Sequence, residues 1–240
     1  QKTEENYWEN SLIQNYMYFK IFDKDKRHGF AYQYYLSLPM PKKRTNKEDL
    51  CFLIEAYCHA CMAKKYDKAA KIIFDYKLNE DLEKWGNYRI LVELYERILP
   101  KDHFKDKPIL SNIQTHGHIL GNIAIAYSAI CEERKAIKYY EKALKISQKL
   151  GDRQGEGVLL GNLGIAYQVL GEARKAILYY EEALKIAQVI GDRRNEGTKF
   201  GNIGNAYNDL GDKRKAIEYY EKARKIANEN GDRRNEGIWF

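Results

Sequence analysis

The most reactive side chains stand in two short runs. Cys58-His59-Ala60-Cys61 has the spacing of a zinc pair or a redox dithiol, and His116-Gly117-His118 adds two imidazoles. A tetrahedral zinc site needs four such ligands, and a second pair at ligand spacing is missing because His116 and His118 are too close-set. Cys51, Ile54, Cys58 and Cys61 follow one helical face. Buried small side chains are therefore the first reading, ahead of metal or redox chemistry. No phosphate-binding G-x-x-x-x-G-K-[ST], H-E-x-x-H, G-x-S-x-G or calcium-loop pattern occurs. The chain is expected to use no metal or cofactor and not to be an enzyme.

Chemistry of another kind, recognition, is carried by a series of amides. Asn122, Asn162 and Asn202 recur at a spacing of forty. Three residues on stand Ile125, Ile165 and Asn205, and three further Ser128, Gln168 and Asn208. Asparagine is a poor helix former, and its amide both donates and accepts. Such amides can grip the backbone of a bound peptide. The alternative, that the repeated asparagine bridges adjacent helices, stands beside it. The expected binding residues are Asn122, Ile125, Asn162, Ile165, Gln168, Asn202, Asn205 and Asn208, with Asn202, Asn205 and Asn208 contributing most. No lysine stands at these positions, which disfavours an acidic C-terminus as ligand.

The elements that position these residues are repeats. Residues 201–240 match residues 161–200 at 26 of 40 positions, and residues 121–160 match them at 23 of 40, without insertion. So short a fixed period marks a solenoid, whose units bury their apolar faces only against neighbours. Each unit reads as two helices. In the middle one, Leu160, Leu163, Ala166, Tyr167 and Leu170 share one face, and Ala176, Ile177, Tyr180, Ala183, Leu184 and Ala187 share another. Gly151-Asp152, Gly191-Asp192 and Gly231-Asp232 predict turns in which glycine ends one helix and aspartate caps the next. Gly161, Gly164, Gly201 and Gly204 fall inside helices at a cost of about 1 kcal/mol each, which predicts close helix contact. The first tyrosine of each pair 139–140, 179–180 and 219–220 is expected to keep a wet hydroxyl, and the repeated charges to face solvent.

Leu163, Gly164, Tyr167, Ala176, Tyr180 and Ala183 resemble the tetratricopeptide repeat (TPR) signature at its spacing, with a period of forty in place of 34. The GNLG, AY and GDR segments resemble the extended repeats of LGN/Pins-type adaptors. The resemblance implies an all-α, right-handed superhelix of antiparallel helix pairs whose first helices line a concave groove. It further implies a protein- or peptide-binding module, cytoplasmic and non-catalytic. The array is placed at residues 109–240, with units 121–160, 161–200 and 201–240, the last running into a further, truncated unit.

Residues 1–108 read as an unrepeated helical region. Residues 4–22 predict a helix, 23–27 a charged turn and 28–37 a short helix. Thr45 with Glu48 resembles a capping box before a helix to about Ala63, followed by helices over 66–77 and 86–99. The succession HGFAYQYYLSLPMP, EAYCHACMAKKYDKAAKII, LEKWGNYRILVELYERILP resembles the helical region preceding the TPRs of microbial STAND (NB-ARC-type) signalling ATPases. That implies a sensor or partner-binding arm, with the ATPase upstream of Gln1; a free-standing LGN-like adaptor is the alternative. The net charge of +7 comes from 41 basic and 34 acidic residues mixed at helical spacing, so nucleic acid is not the expected partner. The uncharged run 108–131 contains Asn112, Gln114, His116 and Asn122 and aligns with a repeat helix, which argues against a membrane span. Self-association through apolar surface at the last repeat, including Trp239 and Phe240, is expected.

Overall fold

The structure is a computed structural model that describes residues 23–41 and 43–229. The helix expected over 4–22, the Gly231-Asp232 turn, and Trp239 and Phe240 lie outside the described residues. The chain divides into two compact units, residues 1–112 and 113–240. Among the described residues the fold is all-helical, with eleven α-helices and no strand.

The first unit holds α1 (Lys24–Ser37), α2 (Cys51–Met62), α3 (Tyr66–Asp75), α4 (Leu78–Lys84) and α5 (Tyr88–Arg97). Asp23 caps α1 by accepting from the Lys26 amide, so residues 24–27 are its first turn and not a separate charged turn. The capping box before α2 also lies one residue later than expected. Asn46 and Asp49 cap each other's backbone ahead of a 3-10 turn over 47–50, because the Asp49 carboxylate reaches back to the amides of both Thr45 and Asn46. Tyr57, Ala60, Ala69, Ala70, Leu91 and Tyr95 are core. The Tyr57 hydroxyl donates to the Leu94 carbonyl, which joins α2 to α5.

The second unit is a stack of three helix pairs: α6 (Ile113–Ala129) with α7 (Glu133–Leu150), α8 (Arg153–Val169) with α9 (Ala173–Ile190), and α10 (Arg193–Asp209) with α11 (Lys213–Glu229). The pairs start at 113, 153 and 193, so the period of forty is a structural period. Each first helix packs on its own second helix, and α8 and α10 also pack on the second helix of the pair before. Gly151 and Gly191 end their helices in the left-handed region at φ 69° and 73°. The Asp152 and Asp192 carboxylates then accept from the Gly155 and Asn195 amides. These paired signals confine each connection to two residues.

Two helical glycines are required by packing. A Cβ on Gly164 would sit 2.5 Å from Cδ1 of Tyr180, and one on Gly204 would sit 2.5 Å from Cε1 of Tyr220. Each ring therefore lies directly on the backbone of the partner helix. The first tyrosine of the first pair also differs from expectation, while Tyr179 and Tyr219 stay partly exposed. Tyr139 is buried, and Tyr139, Tyr179 and Tyr219 stack on Tyr127, Tyr167 and Tyr207 with ring centroids 5.5, 5.2 and 5.5 Å apart. The ammonium groups of Lys135, Lys175 and Lys215 lie over those last three rings, a cation–π contact repeated in every pair.

Three substitutions test these constraints by thermal or urea unfolding. Gly191→Val forces a β-branched residue into the left-handed region and should cost about 1–2 kcal/mol. Gly164→Ala, which helix propensity alone would make stabilising by about 1 kcal/mol, should instead destabilise by about 1–3 kcal/mol through overlap with Tyr180. Cys131, at φ 63°, stands where the later pairs have Gly171 and Gly211. Cys131→Gly should therefore stabilise by about 1 kcal/mol; an unchanged or lower midpoint would contradict the left-handed assignment.

Candidate functional site

One outward face of each first helix carries six of the eight expected binding residues, Gln168 and Asn208 lying beside it. On α8 it is formed by Val158, Asn162, Ile165 and Val169, spaced 4, 3 and 4 apart and so on one helical side. The equivalents are His118, Asn122, Ile125 and Ala129 on α6, and Thr198, Asn202, Asn205 and Asp209 on α10. Ile125 and Ile165 keep 40% and 45% of their surface exposed, and Val158 and Val169 keep 48% and 64%. A Cβ on Gly121 would lie 3.6 Å from Leu159 Cδ2, so neighbouring first helices touch and the faces abut as one strip.

The strip is nearly free of ionic side chains. Helix α6 contains no Asp, Glu, Lys or Arg in its seventeen residues. On α8, Arg153 Nη1 donates to Glu156 Oε2 at 2.8 Å, so the two charges offset one another. The second helices, by contrast, alternate Lys, Arg and Glu throughout.

The amides divide into two groups. Asn122, Asn162 and Asn202 are half-buried, and among the described residues none makes a side-chain hydrogen bond. Gln168 and Asn205 are engaged internally. Gln168 Oε1 accepts from the Tyr180 hydroxyl at 2.8 Å, while its Nε2 donates to Asp209 Oδ2 at 2.6 Å on the next first helix. Asn205 Oδ1 accepts from the Tyr220 hydroxyl at 2.8 Å. Asn208 is exposed.

Two residues of the strip, and one buried residue beside it, were missed from sequence. Val158 and Val169 lie one turn either side of the Asn162–Ile165 pair, and helical spacing could have found them. Lys199 stands where the preceding pairs have Ile119 and Leu159, and is only 8% exposed. Burial pushes its ammonium down from the ordinary lysine range, with Asp192 acting in the opposite sense. The repeat alignment showed this exchange, but not the burial.

The repeated acids also depart from the solvated-face expectation. Glu156 and Glu196 are buried at the starts of α8 and α10. They accept from Gln148 and Gln188 at 3.0 and 3.1 Å, and from Arg153 and Arg193. Their period reflects a structural clasp between successive pairs.

In the first unit, Cys58 and Cys61 are half-buried but Cys51 is exposed, so the expectation of buried thiols along that helical face holds only in part; Cys131, in the second unit, is exposed. Burial raises the Cys58 thiol and pushes Cys61 up to about 11, which leaves little thiolate at neutral pH. Among the described residues no three His, Cys, Asp or Glu side chains stand close enough to hold a metal ion. His59 meets His28 across the α1–α2 contact, Nδ1 to Nδ1 at 2.8 Å, and stacks on Tyr35. No helix among the described residues is long and apolar enough to cross a membrane.

The tetratricopeptide repeat family model matches residues 116–188 and 157–229. No curated protein matches the chain. Among solved structures, aspartyl phosphate phosphatase F from Bacillus subtilis is 15% identical, with 99% of this chain and 57% of that one covered and a TM-score of 0.66. The apo form of RapI is 16% identical over 88% of this chain and 74% of that one, at 0.63. A Rap protein complexed with competence and sporulation factor is 16% identical over 95% and 68%, at 0.53. At these identities the likeness shows the fold: an all-α, TPR-like solenoid.

The histidine pair generates a pH expectation. Burial lowers both His28 and His59, helped at His28 by Lys24 and Arg27 and at His59 by His28, and opposed by Asp25 and Glu55. Both rings are then neutral in the folded state at neutral pH. Stability is full above the ordinary histidine value of about 6.5 and is lost as pH falls through the lowered folded values. The urea midpoint should therefore drop from pH 7.5 to pH 5, and His59→Phe should reduce that drop. An equal drop in the variant would place the acid sensitivity elsewhere.

Proposed function

We propose that the tetratricopeptide repeats of residues 113–229 bind a protein or peptide segment laid across the exposed faces of α6, α8 and α10. The observation that carries this reading is the half-apolar strip, charged only at Asp209, with three unused amides. A face that met only water would be served better by lysine or glutamate, as on the second helices. Apolar ligand residues would rest on Ile125, Val158 and Ile165, and polar ones on Asn202, Asn205 and Asn208. The Rap protein complexed with competence and sporulation factor supports the reading by showing the same fold in complex.

The finer reading is the sensor or partner-binding arm of a larger STAND-type signalling ATPase, supported by the helical succession of residues 28–99. A free-standing LGN-like adaptor is the second reading, and both imply a cytoplasmic setting. A phosphate-binding loop and winged helix encoded upstream of Gln1 would favour the ATPase arm, and a start codon there the adaptor.

Peptides selected from a random library against the protein test the binding surface. Ile165→Glu, Asn162→Ala/Asn202→Ala and Asn205→Ala/Asn208→Ala should each weaken their binding by about tenfold or more, with helicity retained in circular dichroism. If all three stay folded and bind as tightly as the parent, the strip is not the binding surface.

A further inference from the structure

We infer that Asp209 makes the strip a receptor for a basic side chain, the Lys or Arg of a bound segment that is otherwise apolar; this deepens the peptide-binding reading and rests on it. Asp209 is the last residue of α10, at the position that Ala129 and Val169 hold on α6 and α8. The solenoid does not need an acid there, since two of its three pairs do without one. The helix does not favour it either. Aspartate is a poor helix former, and in the last turn its charge meets the negative end of the helix dipole. A position that met only water would be served better by lysine.

The carboxylate is held in place from outside its own helix. Gln168 Nε2 on α8 donates to Asp209 Oδ2 at 2.6 Å, and Gln168 Oε1 is itself engaged by the Tyr180 hydroxyl of α9 at 2.8 Å. Among the described residues Asp209 Oδ1 has no hydrogen bond, and no cation pairs with either oxygen. Lys199 stands ten residues earlier on the same helix, about 15 Å along its axis. Lys215 is engaged by Asp212 at 3.5 Å and by the Tyr207 ring. Burial first, and Asp209 second, push the Tyr180 and Tyr220 hydroxyls up, so the field of the carboxylate reaches both. Those hydroxyls donate to Gln168 and Asn205, and leave the charge of Asp209 unmet. Val169, next in sequence to Gln168, is exposed. The aliphatic stem of a ligand Lys or Arg can lie on Val169 while its charged head reaches Oδ1; a chain-terminal amine has no such stem. The cation gains a charge-assisted hydrogen bond, and the attraction grows as the apolar part of the ligand covers Ile165 and Val169 and excludes water.

The test is selection of random octapeptides, acetylated and amidated at their ends so that only side chains carry charge, against the parent, Asp209→Asn and Asp209→Lys. Asparagine keeps an oxygen for Gln168, so Asp209→Asn should unfold no earlier than the parent. Parent-selected peptides should share one Lys or Arg beside apolar residues. Asp209→Asn should weaken them by about fivefold and lose the basic preference, while Asp209→Lys should select Asp or Glu instead. An aspartate that only bridged α8 to α10 would produce neither change. If the parent selects peptides that Ile165→Glu abolishes, yet they show no basic preference or Asp209→Asn retains it, the inference fails while the binding strip stands. If no peptides are selected against the parent, both fail.

Discussion

A missing side chain sets the spacing of the helix pairs. Gly164 has no Cβ, so the ring of Tyr180 lies against the backbone of α8, and Gly204 admits Tyr220 in the same way. The cost of glycine in a helix is offset by a buried aromatic contact that no other residue type permits there. The consequences run outward. With its ring in that slot, Tyr180 delivers its hydroxyl to Gln168, and Gln168 in turn holds Asp209 on the next first helix. One glycine thus governs a contact inside a pair and a hydrogen-bonded chain to the next pair.

The junctions are fixed by equally local means. Left-handed Gly151 and Gly191 stop the second helices, and Asp152 and Asp192 start the following ones. Glu156 and Glu196 then tie each new helix back to Gln148 and Gln188 of the helix just ended. A carboxylate with this little exposure is tolerable because its oxygens accept both from an amide and from an arginine. Turn, cap and clasp together tie α8 and α10 to the second helices that precede them.

This arrangement divides labour between the two helices of a pair. The second helices bury Ala136, Ala176 and Ala216 and present mixed charge elsewhere. Helices α8 and α10 are each packed between two second helices and leave one narrow face open. A face supported from both sides is preorganised, which lowers the ordering cost of binding a segment of chain.

The sequence by itself determined the all-helical class, the period of forty, the helix ends of the array and the buried stripes. Each rests on local rules, namely apolar spacing along a helix, a glycine in the left-handed region and an aspartate beside it. The outward placement of Ile125 and Ile165 followed from the same spacing, and that of Val158 and Val169 could have. Only the tertiary structure decided how the polar groups are spent, because their partners lie on other helices. Asn162 and Gln168 read alike as free amides, yet Gln168 is taken by Tyr180 and Asp209. Glu156 and Glu196 read as solvated, yet the packing of successive pairs buries them. Lys199 stands where the earlier pairs have Ile119 and Leu159, and only the tertiary structure shows that it is buried with its tip in the space Gly161 leaves. His28 and His59 stand 31 residues apart and meet only because α1 packs on α2. Periodicity specifies which side of a helix a residue occupies; what it touches there depends on the neighbouring helix.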